Sequence, residues 1–165
     1  MPGPDEGPNS PPAGRAFAVL PLRPPFLQVY HEAVAPAAAH AGYVVRHAGD
    51  TFGIAARAAD LRQGIGRARF VIADVSEDRP EVAYQLGLAH GLRRPTILIA
   101  RDGTRVPDVE HVRFIGYGSG PGWRRELRRR LVATIAFIEH RMQRAPAPAR
   151  ALPSAAVPVP RQAMS

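Results

Sequence analysis

The stretch that decides the fold is Arg69–Ala100, RFVIADVSEDRPEVAYQLGLAHGLRRPTILIA. Its two ends, 69–75 and 95–100, are short runs of almost entirely apolar residues, as expected of strands that are covered on both faces of a parallel sheet. Between them, residues 80–92 have helical character, and Pro80 suits the first turn of a helix. The stretch therefore predicts a strand, an acidic loop, a helix and a second strand parallel to the first.

The same alternation continues on both sides of this stretch. The predicted strands are 16–22, 43–47, 69–75, 95–100 and 112–117, and the predicted helices are 26–42, 54–68, 80–92 and 123–142. Pro36 lies inside the first helix, where a missing N–H predicts a kink or a weak point. Strands alternating with helices predict an α/β, flavodoxin-like, doubly wound five-stranded parallel sheet in the order 2-1-3-4-5 with helices on both faces.

Composition limits the class of protein. The chain has 165 residues, enough for one domain with a real core, and its lack of cysteine excludes disulfides and cysteine-bound metals. Residues 1–15 lack the apolar region of a signal peptide, and the longest apolar run, 131–138, is far shorter than the ~20 residues that span a bilayer. We therefore expect a cytoplasmic protein with no membrane partner.

Both ends of the chain are rich in proline and poor in large apolar residues. The predicted organisation is a disordered N-terminus at 1–15, a folded domain at 16–143 and a disordered Pro/Ala/Arg tail at 144–165. The tail is either inert or a docking peptide, and composition favours an inert tail.

The positive charge is concentrated near the C-terminus. All 22 basic residues are arginine; nine of them, against Glu126 and Glu139, follow residue 120, whereas the first 120 residues carry thirteen arginines and twelve acids. This distribution argues against nucleic-acid binding by the main fold. The arginine face of the last helix, which includes Arg125, Arg128 and Arg129, is a candidate contact for an acidic partner. The favoured alternative is a solvated face opposite the apolar stripe.

Three short motifs are weak. GIGRAR at 64–69 lacks the third glycine of a dinucleotide fingerprint and ends a predicted helix. GYGSGPG at 116–122 lies between a strand and a helix, but its order differs from a P-loop, so a flexible turn is favoured. HEAVAP at 31–36 has Ala35 in place of the second histidine of a zinc helix. The six histidines show no ligand spacing, so we predict no metal and no cofactor.

The predicted topology identifies the loops that matter. Ligands of such sheets bind beyond the carboxyl ends of the strands, which points to Pro21–Phe26, Ala48–Phe52, Asp74–Arg79 and Arg101–Thr104. The candidate ligand-binding residues in these loops are Pro21, Arg23, Phe26, Asp50, Phe52, Ser76 and Arg79.

A resemblance to a known family rests on three segments. They are IADVSEDRPEVAYQLGLAHGLRRPTILIA at 72–100, AVLPLRPPFLQVYHEAVAPAAAHAGYVV at 18–45 and ADLRQGIGRARFVIADV at 59–75. Together they resemble the nucleoside 2-deoxyribosyltransferase-like superfamily of flavodoxin-like N-glycosidases and transferases, whose relatives include TIR-like nucleotide-binding domains. The resemblance covers about residues 16–118. It implies a nucleoside or nucleotide ligand and, commonly in this family, a homo-oligomer.

The resemblance also implies roles for individual residues. A glutamate just before Leu-Gly in the family's helix attacks the anomeric carbon of the sugar, and Gln85 stands at that position here. An amide can hydrogen-bond a ribose hydroxyl but is a poor nucleophile. Asp74 keeps the carboxylate at the strand end, while Arg79 and Glu81 replace two asparagines of the motif.

Three functions follow as alternatives. The favoured one is a nucleoside- or nucleotide-binding domain that is catalytically impaired at Gln85. The second is an active N-glycosidase or deoxyribosyltransferase in which Asp74 or Glu81 carries the reaction, Glu81 lying one helical turn before Gln85, where it could activate a water. A helix-dipole role for Glu81 is favoured over that catalytic one. The third is a protein-interaction module.

Arg79 has two interpretations. Its guanidinium could bind a ligand phosphate, or it could pair with the neighbouring Glu77 or Asp78.

Overall fold

Apolar runs pair into a single parallel sheet in this computed structural model, which describes residues 14–50, 54–104 and 114–144. The strands are β1 Gly14–Val19, β2 Tyr43–His47, β3 Val71–Asp74, β4 Thr96–Arg101 and β5 Phe114–Tyr117. They lie in the order β2-β1-β3-β4-β5, and every neighbouring pair is parallel. The α/β, flavodoxin-like class and the strand order predicted from the sequence are therefore confirmed.

Helices cover both faces of the sheet. They are α1 Phe26–Val29, a π-helical segment Tyr30–Val34, α2 Ala35–His40, α3 Ile54–Arg67, α4 Pro80–Gly91 and α5 Trp123–Arg144. The segment from α1 to α2 packs with α5 in one cluster of buried side chains, and α3 packs with α4 in the other.

Residues of β3 show how the pleat divides the core. Ile72 belongs to the cluster on the α1–α5 face, whereas Val71 and Ala73 belong to the cluster on the α3–α4 face. All four residues of the strand are buried, which is why the sequence is nearly continuously apolar here. Because successive side chains of a strand point to opposite faces, the position of a residue in its strand decides which face its side chain covers.

Several boundaries differ from the sequence prediction: β1, for example, ends at Val19 and not at residue 22, and β3 spans Val71–Asp74 and not 69–75. β1 begins at Gly14, inside the segment predicted to be disordered, and α5 continues to Arg144. Three predictions concern residues outside the described ranges. They are the disorder of 1–13 and 145–165, the candidate ligand-binding residue Phe52, and the start of β5 at 112–113.

The GIGRAR motif at 64–69 contains a glycine that has a packing role. A Cβ on Gly64 of α3 would lie 2.8 Å from the ring of Phe17 in β1. The motif therefore lets the helix approach the sheet closely.

The helical segment is irregular just before Pro36, where a weak point was expected. Pro36 has no N–H to donate to the carbonyl of Glu32, and the preceding turn Tyr30–Val34 is π-helical. Arg128 of α5 donates Nη2–H to that carbonyl oxygen at 3.0 Å, and Arg124 forms an ion pair with the carboxylate of Glu32. Two arginines of α5 therefore stabilise the irregular turn.

In the described ranges, every helix is too short or too polar to cross a bilayer.

Removing the Arg128 donor should therefore destabilise the fold. We expect Arg128→Met to lower the free energy of unfolding by about 1 kcal/mol, because the Glu32 carbonyl loses its partner. In a Pro36→Ala background the cost should shrink, since residue 36 then has its own N–H for that carbonyl. Urea denaturation of the native protein, the two single variants and the double variant gives the coupling free energy between Arg128 and Pro36. Arg125→Met, at an exposed position of the same helix, is the matched control. An equal cost in both backgrounds would contradict this account.

Candidate functional site

A buried carboxylate lies at the carboxyl end of β3. The side chain of Asp74 is 3 % exposed, and its Oδ1 accepts hydrogen bonds from the backbone N–H of Ser76 at 2.9 Å and from Ser76 Oγ at 2.5 Å. Tyr117, at the end of β5, donates its hydroxyl to Oδ2 at 2.7 Å. Ser76 Oγ also accepts the backbone N–H of Arg101 at 2.7 Å. These bonds join the ends of β3, β4 and β5.

The pKa values of Asp74 and Tyr117 are both raised. Burial raises the pKa of Asp74 above its ordinary value, although the hydrogen bonds from Ser76 and Tyr117 favour its ionised form. Burial and the nearby charge of Asp74 raise the pKa of Tyr117 as well, so the phenol remains a donor. A buried carboxyl group with a raised pKa at a strand end is a candidate for a functional site.

An open cavity of about 400 Å³ lies beside this pair, between the start of α1 and the start of α5. Tyr117 and Trp123 contribute aromatic rings to its wall, with centroids 5.7 Å apart and planes inclined by 30°. Arg101 and Arg124 supply cationic groups, and the Arg124 guanidinium lies 4.9 Å from the ring of Trp123. The cavity therefore combines aromatic surface with positive charge.

A cluster of ion pairs connects the loops after β1 and β3. One oxygen of Glu77, Oε2, accepts hydrogen bonds from Arg23 at 2.5 Å and from Arg79 at 3.1 Å. Of the two interpretations of Arg79, the structure shows the pair with Glu77. The guanidinium groups of Arg23 and Arg101 lie 5.4 and 5.3 Å from the ring centroid of Phe26, which is itself fully buried.

Gln85 lies apart from this cavity. α4 turns Val82, Gln85 and Ala89 towards the sheet, and Val82 and Ala89 pack on the α3–α4 face. Gln85 is 6 % exposed, and its Oε1 has no hydrogen-bond partner within the described residues. Glu81, one turn earlier, is exposed.

Asp74, by contrast, faces the α1–α5 side of the sheet. It lines a small internal cavity together with Ile72 and Phe26, which belong to the cluster on that side. The structure thus brings Asp74 together with Ser76, and it places Gln85 and Glu81 elsewhere.

The remaining predicted site residues have other surroundings. Pro21 is fully buried, and Phe26 lies beneath two arginines with no exposed surface of its own. Asp50 accepts the backbone N–H of His47 at 2.8 Å and lines a separate cavity of about 300 Å³ between β1, β2 and α3.

Sequence reasoning missed Tyr117 and Trp123. The signal was available, because β5 is also a parallel strand and the loop after it belongs to the same carboxyl edge. The four candidate loops follow β1 to β4, and the motif GYGSGPG after β5, for which a flexible turn was favoured, contributes Tyr117, Gly118 and Ser119 to the cavity lining.

Most arginines on α5 have contacts within the protein. Arg124 and Arg128 contact Glu32, Arg129 pairs with Glu126 at 2.7 Å, and Arg130 donates to the carbonyl of Gly116 at 3.0 Å. These contacts agree with a structural and solvated face. In the part of the chain that the structure describes, no group of three or more His, Asp or Glu side chains is arranged to hold a metal ion.

Two solved structures match this fold at low sequence identity. A CMP N-glycosidase from Clostridium botulinum matches with a TM-score of 0.55 and 12 % identity, over 74 % of this chain and 98 % of that one. A 2-deoxyribosyltransferase from Leishmania mexicana matches with a TM-score of 0.52 and 16 % identity, over 77 % and 98 % respectively. No protein-family model and no curated protein sequence matches the chain.

The chain therefore shares its fold with a CMP N-glycosidase and a 2-deoxyribosyltransferase, which is the fold that the sequence resemblance implies.

The hydrogen bond between Tyr117 and Asp74 should contribute measurably to stability. We expect Tyr117→Phe to lower the free energy of unfolding by about 1.5–3 kcal/mol, because a buried carboxylate loses a donor. Urea denaturation measures the change. Tyr84→Phe removes a hydroxyl from an exposed tyrosine on α4 and should be nearly neutral. Equal effects of the two substitutions would contradict the role assigned to Tyr117.

The raised pKa of Asp74 predicts a pH dependence. The folded state binds this proton more tightly than the unfolded state, whose aspartate has a pKa of about 3.9. The associated stability is present below that value and is lost as pH rises through the folded pKa. Native protein should therefore lose stability relative to Asp74→Asn as pH rises from about 4. Urea titrations across that range test this, and a constant difference between the two proteins would refute it.

Proposed function

We propose that the protein binds a nucleoside or nucleotide at the carboxyl edge of its sheet and does not cleave it through a covalent glycosyl intermediate. The observation that carries the proposal is the cavity of about 400 Å³ with Tyr117, the hydrogen-bond partner of Asp74, and Trp123 in its wall and with Arg101 and Arg124 in its lining. This volume lies within the range of small-molecule sites, roughly 300–1,000 Å³. The two solved structures that share the fold are named for acting on CMP and for transferring deoxyribose.

The chemistry of the cavity wall suits each part of such a ligand. The aromatic rings of Trp123 and Tyr117 provide flat apolar surface for a base, and base–aromatic stacking is worth about 1–3 kcal/mol. The guanidinium groups of Arg101 and Arg124 suit a phosphate or other anionic group. The Tyr117 hydroxyl, held by Asp74, presents a polar group at the same wall.

The second part of the proposal rests on Gln85. The family resemblance assigns this position to the nucleophile, but the side chain here is a neutral amide, which cannot form the covalent bond to the sugar. Gln85 is buried on the sheet-facing side of α4 and does not line the cavity. Both its chemistry and its place support binding without covalent catalysis.

Ligand binding can be followed through Trp123, the single tryptophan of the chain. Nucleosides and nucleoside monophosphates should quench its fluorescence and raise the melting temperature of the protein. Trp123→Phe keeps an aromatic face and should bind with similar affinity, whereas Trp123→Leu should weaken binding about tenfold or more. Because both variants lack the tryptophan, calorimetry measures their affinities. Failure of every nucleoside and nucleotide to bind native protein would refute the proposal.

The absence of covalent cleavage is tested by base release. Native protein and Gln85→Glu are incubated with nucleosides, deoxynucleotides and NAD, and free base is measured by chromatography. We expect no release by native protein. Release by Gln85→Glu alone would show that the amide silences a competent site and would contradict the placement of the ligand in a cavity that Gln85 does not line. Release by native protein would contradict the absence of cleavage.

A second candidate is an active N-glycosidase or deoxyribosyltransferase that depends on Asp74. The observation that favours it is this buried carboxyl group hydrogen-bonded to Tyr117 of the cavity wall, because its raised pKa makes it a better proton donor to a departing base than an exposed aspartate. Glu81 is exposed on α4 and does not line the cavity. If this candidate is correct, base release should be lost in Asp74→Asn and retained in Glu81→Gln. Formation of a new nucleoside, when a second free base is added to the reaction, would reveal transfer of the sugar.

A further inference from the structure

The carboxyl edge of the sheet has a cationic rim, two arginines of which share the carboxylate of Glu77. Arg23 follows β1, Arg79 follows β3 and Arg101 ends β4, so three arginines meet at the carboxyl edge. A single oxygen of Glu77 holds two of them, Arg23 and Arg79.

Arg101 belongs to the same rim but has a different partner. Its guanidinium shares the ring of Phe26 with that of Arg23, and it also lines the cavity. Within the described residues it forms no ion pair. Of these three arginines, Arg101 is thus available to a ligand, whereas Arg23 and Arg79 are occupied by a carboxylate.

The contacts of Glu77 are those that a phosphate group would make. Arginine binds carboxylate and phosphate through the same charge-assisted hydrogen bonds, and a phosphate offers more acceptor oxygens and a larger negative charge. The side chains of Arg23, Arg79 and Glu77 are 45, 39 and 31 % exposed, so water screens both pairs and they exchange readily. The two arginines hold the pKa of Glu77 below its usual value, which keeps this carboxylate charged at neutral pH.

We propose that the carboxylate of Glu77 is an internal competitor for the phosphate of a nucleotide. It occupies Arg23 and Arg79 in the free protein and leaves them when a nucleoside monophosphate binds beside Arg101. This inference rests on the proposed function and adds to it a residue that sets the preference between nucleosides and nucleotides. The phosphate then contacts Arg23 and Arg79 in place of Glu77, so the loops after β1 and β3, which the ion pairs of Glu77 join in the free protein, stay connected through the ligand.

The alternative is a purely structural role, in which the ion pairs of Glu77 hold the two loops together and fix the positions of the arginine side chains. The two roles predict opposite effects of neutralising the residue. A competitor, once neutralised, frees the arginines and strengthens phosphate binding, whereas the loss of a brace weakens it or leaves it unchanged.

The deciding experiment compares native protein with Glu77→Gln by fluorescence titration of Trp123. Affinity for a nucleoside monophosphate should rise about fivefold in the variant, because two exposed ion pairs no longer compete. Affinity for the matching nucleoside should not change. Glu126→Gln breaks the exposed pair with Arg129 on α5 and makes the same change in net charge at a residue that does not line the cavity. It should therefore leave both affinities at the native value.

Two further measurements separate the possible failures. Arg23→Gln in the native background should weaken binding of the monophosphate and not of the nucleoside. Inorganic phosphate alone should raise the melting temperature of Glu77→Gln more than that of native protein or Glu126→Gln. Unchanged or weaker monophosphate binding by Glu77→Gln, with nucleoside binding intact, overturns this inference and leaves the proposed function in place. If no nucleoside or nucleotide binds any of these proteins, the proposed function fails as well.

Discussion

The buried carboxylate of Asp74 is the interaction on which the carboxyl edge of the sheet depends. A charged group removed from water costs several kcal/mol unless hydrogen bonds replace its hydration. Ser76 and Tyr117 supply those bonds, and the backbone N–H of Arg101 orients Ser76 in turn. The strands β3, β4 and β5 must therefore end in register, and this register places Tyr117 in the cavity wall and Arg101 at its rim. The site is a consequence of satisfying one buried charge.

The surplus of arginine has a similar structural explanation. Pro36 leaves the Glu32 carbonyl without a helical donor, and Arg128 of α5 provides one. Further arginines of that helix contact Glu32, Glu126 and the carbonyl of Gly116. The strong positive charge of the C-terminal region therefore reflects, in part, packing of the last helix on an irregular neighbour. At the carboxyl edge the arginines instead surround a cavity, with Glu77 neutralising two of them.

The relation between fold and chemistry depends on the two faces of the sheet. Asp74 faces the α1–α5 side, whereas α4 holds Gln85 on the other side, buried and with an unpartnered oxygen. The resemblance assigns a role to Gln85, and the position at the end of β3 assigns one to Asp74. These two residues thus lie on different faces of the sheet. The cavity with aromatic and cationic walls lies on the Asp74 side. For this reason the geometry supports ligand binding near Tyr117 and gives Gln85 no contact with that cavity.

The sequence by itself determined the strands, the helices and the order of the sheet, because apolar runs, their alternation and the handedness of crossovers are local or nearly local properties. It also identified the edge at which ligands bind and the carboxylate at the end of β3. Only the tertiary structure decided which side chains meet there. The partner of Asp74 lies 43 residues away in Tyr117, Phe26 is buried beneath two arginines, and Arg23 pairs with Glu77, 54 residues along the chain. Such contacts depend on strand register and on the face to which each side chain points, and neither is encoded in a short motif.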